Sequence, residues 1–239
     1  MNSLLYLPSV GSTNDIVSEL ANPNATGIYS VYTFDQTKGR GQYGNTWKIP
    51  KDKNVAYSFI LPTKLVRLSP NLFNFYTALL LRDFIVKITD KEAKVKWPND
   101  IILQNKKIVG ILIEKITVEH IDYYIAGFGV NVLQDNFEEI TKAGSIKTQT
   151  GLSFDLHQFA EDMHNHFSEH LVQFPSDEEV LARYNEALFR KDQISVFEIN
   201  NIRQNGIIRY VDKDGYLNVE LENEDEMKKF FHKEITLLY

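Results

Sequence analysis

Two stretches of this chain combine residue types that could do chemistry. The first is Asp35-Gln36-Thr37-Lys38-Gly39-Arg40-Gly41-Gln42-Tyr43-Gly44-Asn45-Thr46-Trp47. Glycines at 39 and 41 let the backbone approach a ligand and turn its N–H groups toward an anion. Arg40 between them adds a planar fork suited to a carboxylate or phosphate. No Gly-Lys-Ser/Thr closes the loop and the dinucleotide spacing is absent, so neither common phosphate loop is present. A surface loop whose glycines only permit turns is the competing reading. The second stretch is Lys96-Trp97-Pro98-Asn99-Asp100. Pro98 keeps Trp97 extended and makes a corner, which holds Lys96 at a strand end with Asn99 and Asp100 beside it. A plain hairpin turn with a packed Trp is the alternative.

Lys106-Lys107-Ile108-Val109-Gly110-Ile111-Leu112-Ile113-Glu114 and Gly127-Phe128-Gly129-Val130-Asn131 read as strands. Glycine weakens a strand, so glycines at 110, 127 and 129 predict something lying flat on the sheet face, a ligand or a packed helix. The Asn131 amide could read an adenine edge or close a turn. His166 and His170 have the i, i+4 spacing of a zinc pair, but His164 cannot share a face with His166 and no acid completes a site, so a solvated helix face is expected.

These residues need elements to hold them. Ser12-Thr13-Asn14-Asp15 predicts a capped helix start, and residues 27–34 and 55–61 predict strands. Leu72, Phe73, Tyr76, Leu79, Leu80, Phe84, Ile85 and Ile88 repeat at helical spacing and predict a long helix over 70–89. Helices are also expected over about 155–174 and 177–189, and strands around 93–96, 108–116 and 123–130. From Gln193 the pattern changes to short strands at 194–199, 207–211 and 216–221, with Asn205-Gly206 and Asp214-Gly215 as turn dipeptides. The reading is α+β: a mixed sheet flanked by helices over 1–190, then a small β-barrel over 191–239. The acids Glu220, Glu222, Glu224, Asp225 and Glu226 fit a solvated hairpin tip. The aromatics Phe73, Phe75, Tyr76, Tyr123, Tyr124 and Phe128 are expected in the core.

Composition narrows the field. The 239 residues carry 26 Lys+Arg against 32 Asp+Glu, a net charge of −6, which disfavours nucleic acid as a general partner. No cysteine is present, which excludes disulfides, thiolate zinc sites and a thiol nucleophile and suits a reducing cytoplasm. No apolar run approaches the roughly 20 residues of a membrane span, and the N-terminal run stops at Pro8, too early for a signal peptide.

Taken in order, the motifs resemble those of biotin protein ligases over about residues 5–135. Ser12-Thr13-Asn14 matches the family's opening motif, Gln36 with Gly39-Arg40-Gly41 and Trp47 its biotin loop, and Lys96 to Asp100 its signature residue for residue. Lys107, Gly110-Ile111-Leu112, Glu114 and Gly127 to Asn131 follow. The resemblance implies a class II aminoacyl-tRNA synthetase-like fold with an SH3-like C-terminal barrel. It also implies a two-step reaction: biotin and ATP form biotinyl-5′-AMP, and a lysine of a biotin carboxyl carrier domain then takes the biotin.

The roles it implies are catalysis by Lys96, Arg40 and Asp100, with Asp100 orienting or deprotonating the acceptor amine. Biotin would be bound by Ser12, Thr13, Asn14, Gln36, Gly39, Arg40, Gly41, Gln42, Lys96 and Gly110. The nucleotide would be bound by Arg40, Trp47, Lys96, Asn99, Lys107 and Asn131. Mg²⁺ would ride mainly on ATP oxygens and water, with no protein metal site. The glycine loop would close over biotin and exclude water. Many bacterial members carry a second Arg where Gln42 stands; Gln42 can hydrogen-bond the ligand but cannot neutralise a phosphate, so weaker retention of the adenylate is expected here. A motif starting at Ser12 leaves no room for the family's DNA-binding domain, so an enzyme without repressor function is expected. The family also forms homodimers. A lipoate–protein ligase shares the adenylation logic, and a non-catalytic binding module is the reading from a different class.

Overall fold

The computed structural model describes residues 3–138 and 140–239. Seven strands form the main sheet: β1 (Ser3–Tyr6), β2 (Tyr29–Thr33), β3 (Asn54–Pro62), β4 (Ala93–Lys96), β5 (Asp100–Leu103), β6 (Lys106–Val118) and β7 (Ile121–Asn131). Their order is β1-β2-β3-β7-β6-β5-β4; only β1 and β2 run parallel, so the sheet is mixed as expected. The hairpins close on left-handed pairs, Gln104-Asn105 and Glu119-His120. Polar residues tolerate that conformation in a two-residue turn.

Five helices flank the sheet: α1 (Thr13–Ser18), α2 (Pro70–Thr89), α3 (Ile146–Thr150), α4 (Leu156–His170) and α5 (Asp177–Ala187). Helix α2 starts where Ser69 accepts a hydrogen bond from the Leu72 N–H and Pro70 presets the first turn. It buries Leu72, Phe73, Phe75, Tyr76 and Phe84, and Tyr123, Tyr124 and Phe128 are buried on β7. Helix α1 starts as expected at Ser12, but the Ser12 hydroxyl makes no capping bond. Its neighbours on the helix are recruited elsewhere, as described below.

The five remaining strands, β8 (Ile194–Ile199), β9 (Ile202–Val211), β10 (Leu217–Leu221), β11 (Lys228–Phe230) and β12 (Thr236–Leu238), form an antiparallel sheet in the order β11-β10-β9-β8-β12. One expected turn moves. Asn205-Gly206 lies inside β9, and Asn200-Asn201, both at positive φ, make the β8–β9 turn. Gly206 serves packing instead: a Cβ there would press on Leu221 and the Glu220 carbonyl at 2.9 Å. Phe197, Ile208, Val211, Leu217 and Val219 join the same core cluster as the helices, and Asn185 exchanges two hydrogen bonds with the Val211 backbone (2.9 and 2.7 Å). The acids at 220, 222 and 224–226 are exposed.

His164 and His166 are buried at 6% and 8% exposure, which corrects the expected solvated face. The helix is covered on two sides. His164 Nδ1 lies 3.1 Å from both the Tyr57 hydroxyl and Ser30 Oγ of the sheet, with Ser168 3.4 Å from its Nε2. His166 donates from Nε2 to the Leu80 carbonyl of α2 at 3.0 Å and lies beside His170. Burial lowers the pKa of both below the ordinary 6.5; around His166, His170 and Lys87 add to this and Asp83 opposes it. A folded state that refuses a proton the unfolded chain accepts loses stability as pH falls. Stability is therefore expected to hold above pH 6.5 and to decline below it. Thermal melts between pH 5 and 7.5 check this, and a slope identical in His164→Gln would remove His164 from the account.

Candidate functional site

The pairing register puts Lys96, Asp100, Gly110 and Gly129 in one cross-strand row over β4, β5, β6 and β7. A bulge at Ile108 shifts the alternation of β6, so that Lys107 comes round to the face of Gly110. The outcome is a compact charge cluster. Asp100 lies between two ammonium groups, 2.6 Å from Lys107 Nζ and 3.5 Å from Lys96 Nζ. The corner that carries them is a hairpin turn after all, with a cis Trp97–Pro98 bond. It is pinned on several sides. Asn99 donates to the Ile111 carbonyl, the Ile111 N–H donates to the Asn99 carbonyl, and the Trp97 indole donates to Gly215 of the small sheet at 3.1 Å. The two readings of that motif are therefore compatible: a packed turn is what fixes the charged groups.

The glycine row explains the shelf. Gly110 and Gly129 face each other across β6 and β7, and the Trp47 indole lies on both. A Cβ on Gly129 would overlap the ring, and one on Gly110 would stand 2.8 Å from its edge. Gly127 pairs with Ser58 on β3 and gives the same clearance to the Asn14 amide. The expected flat object is thus the Trp47 ring over Gly110 and Gly129, and over Gly127 the packed helix of the alternative reading, α1 through its Asn14. Lys107 Nζ stands 5.4 Å above the indole, whose buried Nε1–H has no acceptor among the described residues.

At the other end of the cleft the opening motif forms a polar chain. Gln36 Oε1 accepts from the Thr13 N–H (2.8 Å) and hydroxyl (3.1 Å). The Ser58 hydroxyl lies 2.7 Å from Thr13 Oγ1 and 2.6 Å from Asn14 Oδ1, and the Asn14 amide donates to Glu114 at 2.6 Å. The glycine loop crosses above. Gly39 is buried because Trp47 and Gln36 occupy the space of its Cβ, and its carbonyl accepts from the Trp47 N–H at 3.0 Å. Arg40 reaches down to Asp15 with two bonds of 2.7 and 2.8 Å, and to Glu114 at 3.7 Å. Tyr43, at the loop tip, stacks on His232 of the small sheet with ring centroids 4.7 Å apart, and His232 meets the edge of Trp97.

The cleft between these parts holds about 900 Å³, within the usual size of a small-molecule site. Ser12, Thr13, Asn14, Gln36, Arg40, Gly41, Gln42, Trp47, Lys96, Asn99, Asp100, Lys107, Gly110 and Asn131 all line it. Gly39 stands just behind the wall. Two of the amides expected to read a nucleotide are engaged within the protein: Asn99 with Ile111, and Asn131 with Gly144 (3.0 Å) and Asn54 (3.3 Å).

A model of the Biotin/lipoate A/B protein ligase family matches residues 6–131, just over half the chain and the stretch that builds most of this cleft. The chain belongs to this family. It is 33% identical over 158 residues to the bifunctional ligase/repressor BirA of Bacillus spizizenii, an alignment covering 64% of this chain and 48% of that protein. The chain spans about half the length of that relative. With the bifunctional ligase/repressor BirA of Escherichia coli it is 27% identical, over 98% of this chain and 74% of the other. The biotin protein ligase of Aquifex aeolicus, solved with biotin and ATP, superposes with a TM-score of 0.80 over 99% of this chain and 98% of that one at 24% identity, which shows the shared fold.

Sequence reading passed over several residues of the family cleft. Ser58 was signalled by a hydroxyl in an otherwise apolar strand. Gln134, Asn136 and Phe137, which follow β7 and close one side, belong to no motif. Asp15 and Glu114, read only as parts of their motifs, and His232 were given no role in the site, and each acts through contacts with residues far along the chain.

Proposed function

We propose that the protein is an ATP-dependent ligase that converts biotin to biotinyl-5′-AMP and passes the biotin to a lysine of a biotin carboxyl carrier domain. The observation that carries this reading is the single cleft in which a polar chain, an arginine-bearing glycine loop and a two-lysine cluster converge. Biotin has an apolar body and one ureido group. Thr13, Gln36, Ser58 and Asn14 hold the donors and acceptors that such a group needs, whereas the ring of lipoate offers them no partner.

The carboxylate of biotin then attacks the α-phosphorus of ATP, and pyrophosphate leaves. Lys96 and Arg40 stabilise charge on the phosphoryl oxygens, and Lys107 holds the outer phosphates. Arg40, Lys96 and Lys107 each face a carboxylate, Asp15, Asp100 or Glu114. The cleft therefore has little surplus positive charge of its own, and Mg²⁺ arriving with ATP fits that balance. Asn131 and Trp47 border the nucleoside. In the second step Asp100 orients the acceptor amine or takes its proton, as one member of the three-charge cluster with Lys96 and Lys107. Asp100→Asn should slow transfer from preformed biotinyl-5′-AMP at least tenfold; an unchanged single-turnover rate would remove that role.

The five-stranded unit is read as an SH3-like barrel that borders the cleft, with the boundary near residue 190, and the enzyme as a cytoplasmic one able to form homodimers. The deciding experiment is ATP–pyrophosphate exchange with biotin, with lipoate and with neither. Exchange with biotin alone supports the reading. Exchange with lipoate alone moves it to the lipoate branch, and none with either acid, in folded protein, leaves a binding module.

A further inference from the structure

Arg40 is the group placed to meet an incoming anion, yet the end of its guanidinium fork is already taken by Asp15. Both terminal nitrogens donate to the two oxygens of Asp15, at 2.7 and 2.8 Å, in the side-by-side geometry that an arginine otherwise makes with a carboxylate or phosphate ligand. Asp15 stands in the first turn of α1, directly after the Thr13-Asn14 pair of the polar chain. Its neighbour Asn14 holds the second carboxylate, Glu114, within 3.7 Å of the same guanidinium. The bond to Arg40 holds the Asp15 carboxyl below its usual range, so it is charged whenever the enzyme works.

We infer that Asp15 is a resident stand-in for the ligand's anion. It ties the glycine loop down in the empty enzyme and gives Arg40 up when a phosphate or carboxylate arrives. The inference deepens the proposed function and rests on it. Two observations make displacement feasible. The pair is exposed, at 43% for Arg40 and 59% for Asp15, so water shares the interaction and it is weakly held. Glu114 is less exposed and is anchored by Asn14, so it stays behind as a fixed neighbour when Asp15 lets go. Asp15 thus acts through Arg40 as a positioning residue, and it lowers affinity for the anion by competing with it. This chain carries Gln42 rather than a second arginine in the loop, so Arg40 is the loop's guanidinium for both partners.

The test compares wild type, Asp15→Asn and Asp15→Glu in two assays. In pyrophosphate exchange, Asp15→Asn should lower KM for ATP about three- to tenfold with kcat within twofold, and Asp15→Glu should restore the wild-type KM. A kcat loss at unchanged KM would overturn the competition, since Asp15 would then be aiming Arg40 for the reaction. An unchanged KM and kcat would make the pair a bystander. The second assay needs no turnover. Trypsin cleavage after Lys38 and Arg40 should be faster in ligand-free Asp15→Asn, and inorganic pyrophosphate should protect that variant at lower concentrations than wild type. If wild type shows no exchange with biotin or lipoate, the functional reading fails, while the trypsin comparison still decides whether Asp15 and an anion compete for Arg40. Equal cleavage of both proteins with equal protection sinks the inference.

Discussion

Lys96→Ala is expected to reduce biotin-dependent ATP–pyrophosphate exchange by about 10²–10³-fold, the loss seen when one preorganised donor to a developing oxyanion is removed. The side chain projects from the end of β4 into the row that contains Asp100 and Gly110. Its ammonium meets one carboxylate oxygen at 3.5 Å, long enough to leave donors for a phosphoryl oxygen. The deficit should lie in kcat. Lys107→Ala should instead raise KM for ATP, because a contact to phosphates that do not react binds ground state and transition state alike. Lys115→Ala is the control: that lysine is exposed on β6, pairs with Asp122 and faces no part of the cleft, so exchange should not change. Exchange within threefold of wild type in Lys96→Ala would take the residue out of the chemistry. Unfolding melts would show whether the variant had simply lost its fold.

Gly129→Ala should be among the most damaging single methyls that can be added to the cleft. A Cβ there would occupy the volume of the Trp47 pyrrole ring, so the indole must leave the shelf or the strands must part. Overfilling a packed site of this kind costs about 1–3 kcal/mol. Displacing Trp47 also removes one wall of the cleft, on the side proposed for the nucleotide, and the anchor that fixes the C-terminal end of the glycine loop, so exchange should fall more than tenfold. Gly110→Ala meets only the ring edge, at 2.8 and 3.1 Å, and a small tilt relieves it; its effect should be smaller. Gly44→Ala meets nothing within 4 Å and should cost only the strain of its φ of +80°. Tryptophan fluorescence in a Trp97→Phe background reports the position of Trp47. If Gly129→Ala leaves both that signal and KM for ATP as they were, the shelf is not what holds the ring.

Much of this arrangement could be read before any coordinates, because it is local. Helix α2 has an unbroken apolar period, and the span read from it, 70–89, is the helix observed. The Lys96–Asp100 corner and the three strand glycines also carried their meaning in a few adjacent residues. What escaped depends on partners brought in by tertiary structure. The glycines predicted a flat object, yet its identity as Trp47 and Asn14 follows from the loop's path over the sheet and from α1 lying against β3 and β7. The bulge that turns Lys107 inward is an irregularity of pairing, with no signature within β6 itself. Strands β1, β11 and β12 have three or four residues each, too few for an alternation to show. Helix α3 has five residues, and its capping box uses Thr148 in place of an acid or amide. The histidines of α4 read as exposed because they are polar. They are buried because sheet hydroxyls and a helix carbonyl satisfy them.

The contact between Tyr43 and His232 has a consequence for how an active molecule comes into being. The ring on which the loop tip rests lies far beyond it along the chain and is made well after it. A chain emerging from the ribosome has every cleft residue up to Asn131 in hand well before the platform for the loop exists. Pairings this distant along a chain form late, because the closure entropy of the intervening segment must be overcome first. The half-made protein would therefore hold an untethered loop and an open cleft, and the mixed anhydride of the proposed reaction would meet water there. Tying the loop to His232 would make the proposed adenylation wait for the segment that carries that ring.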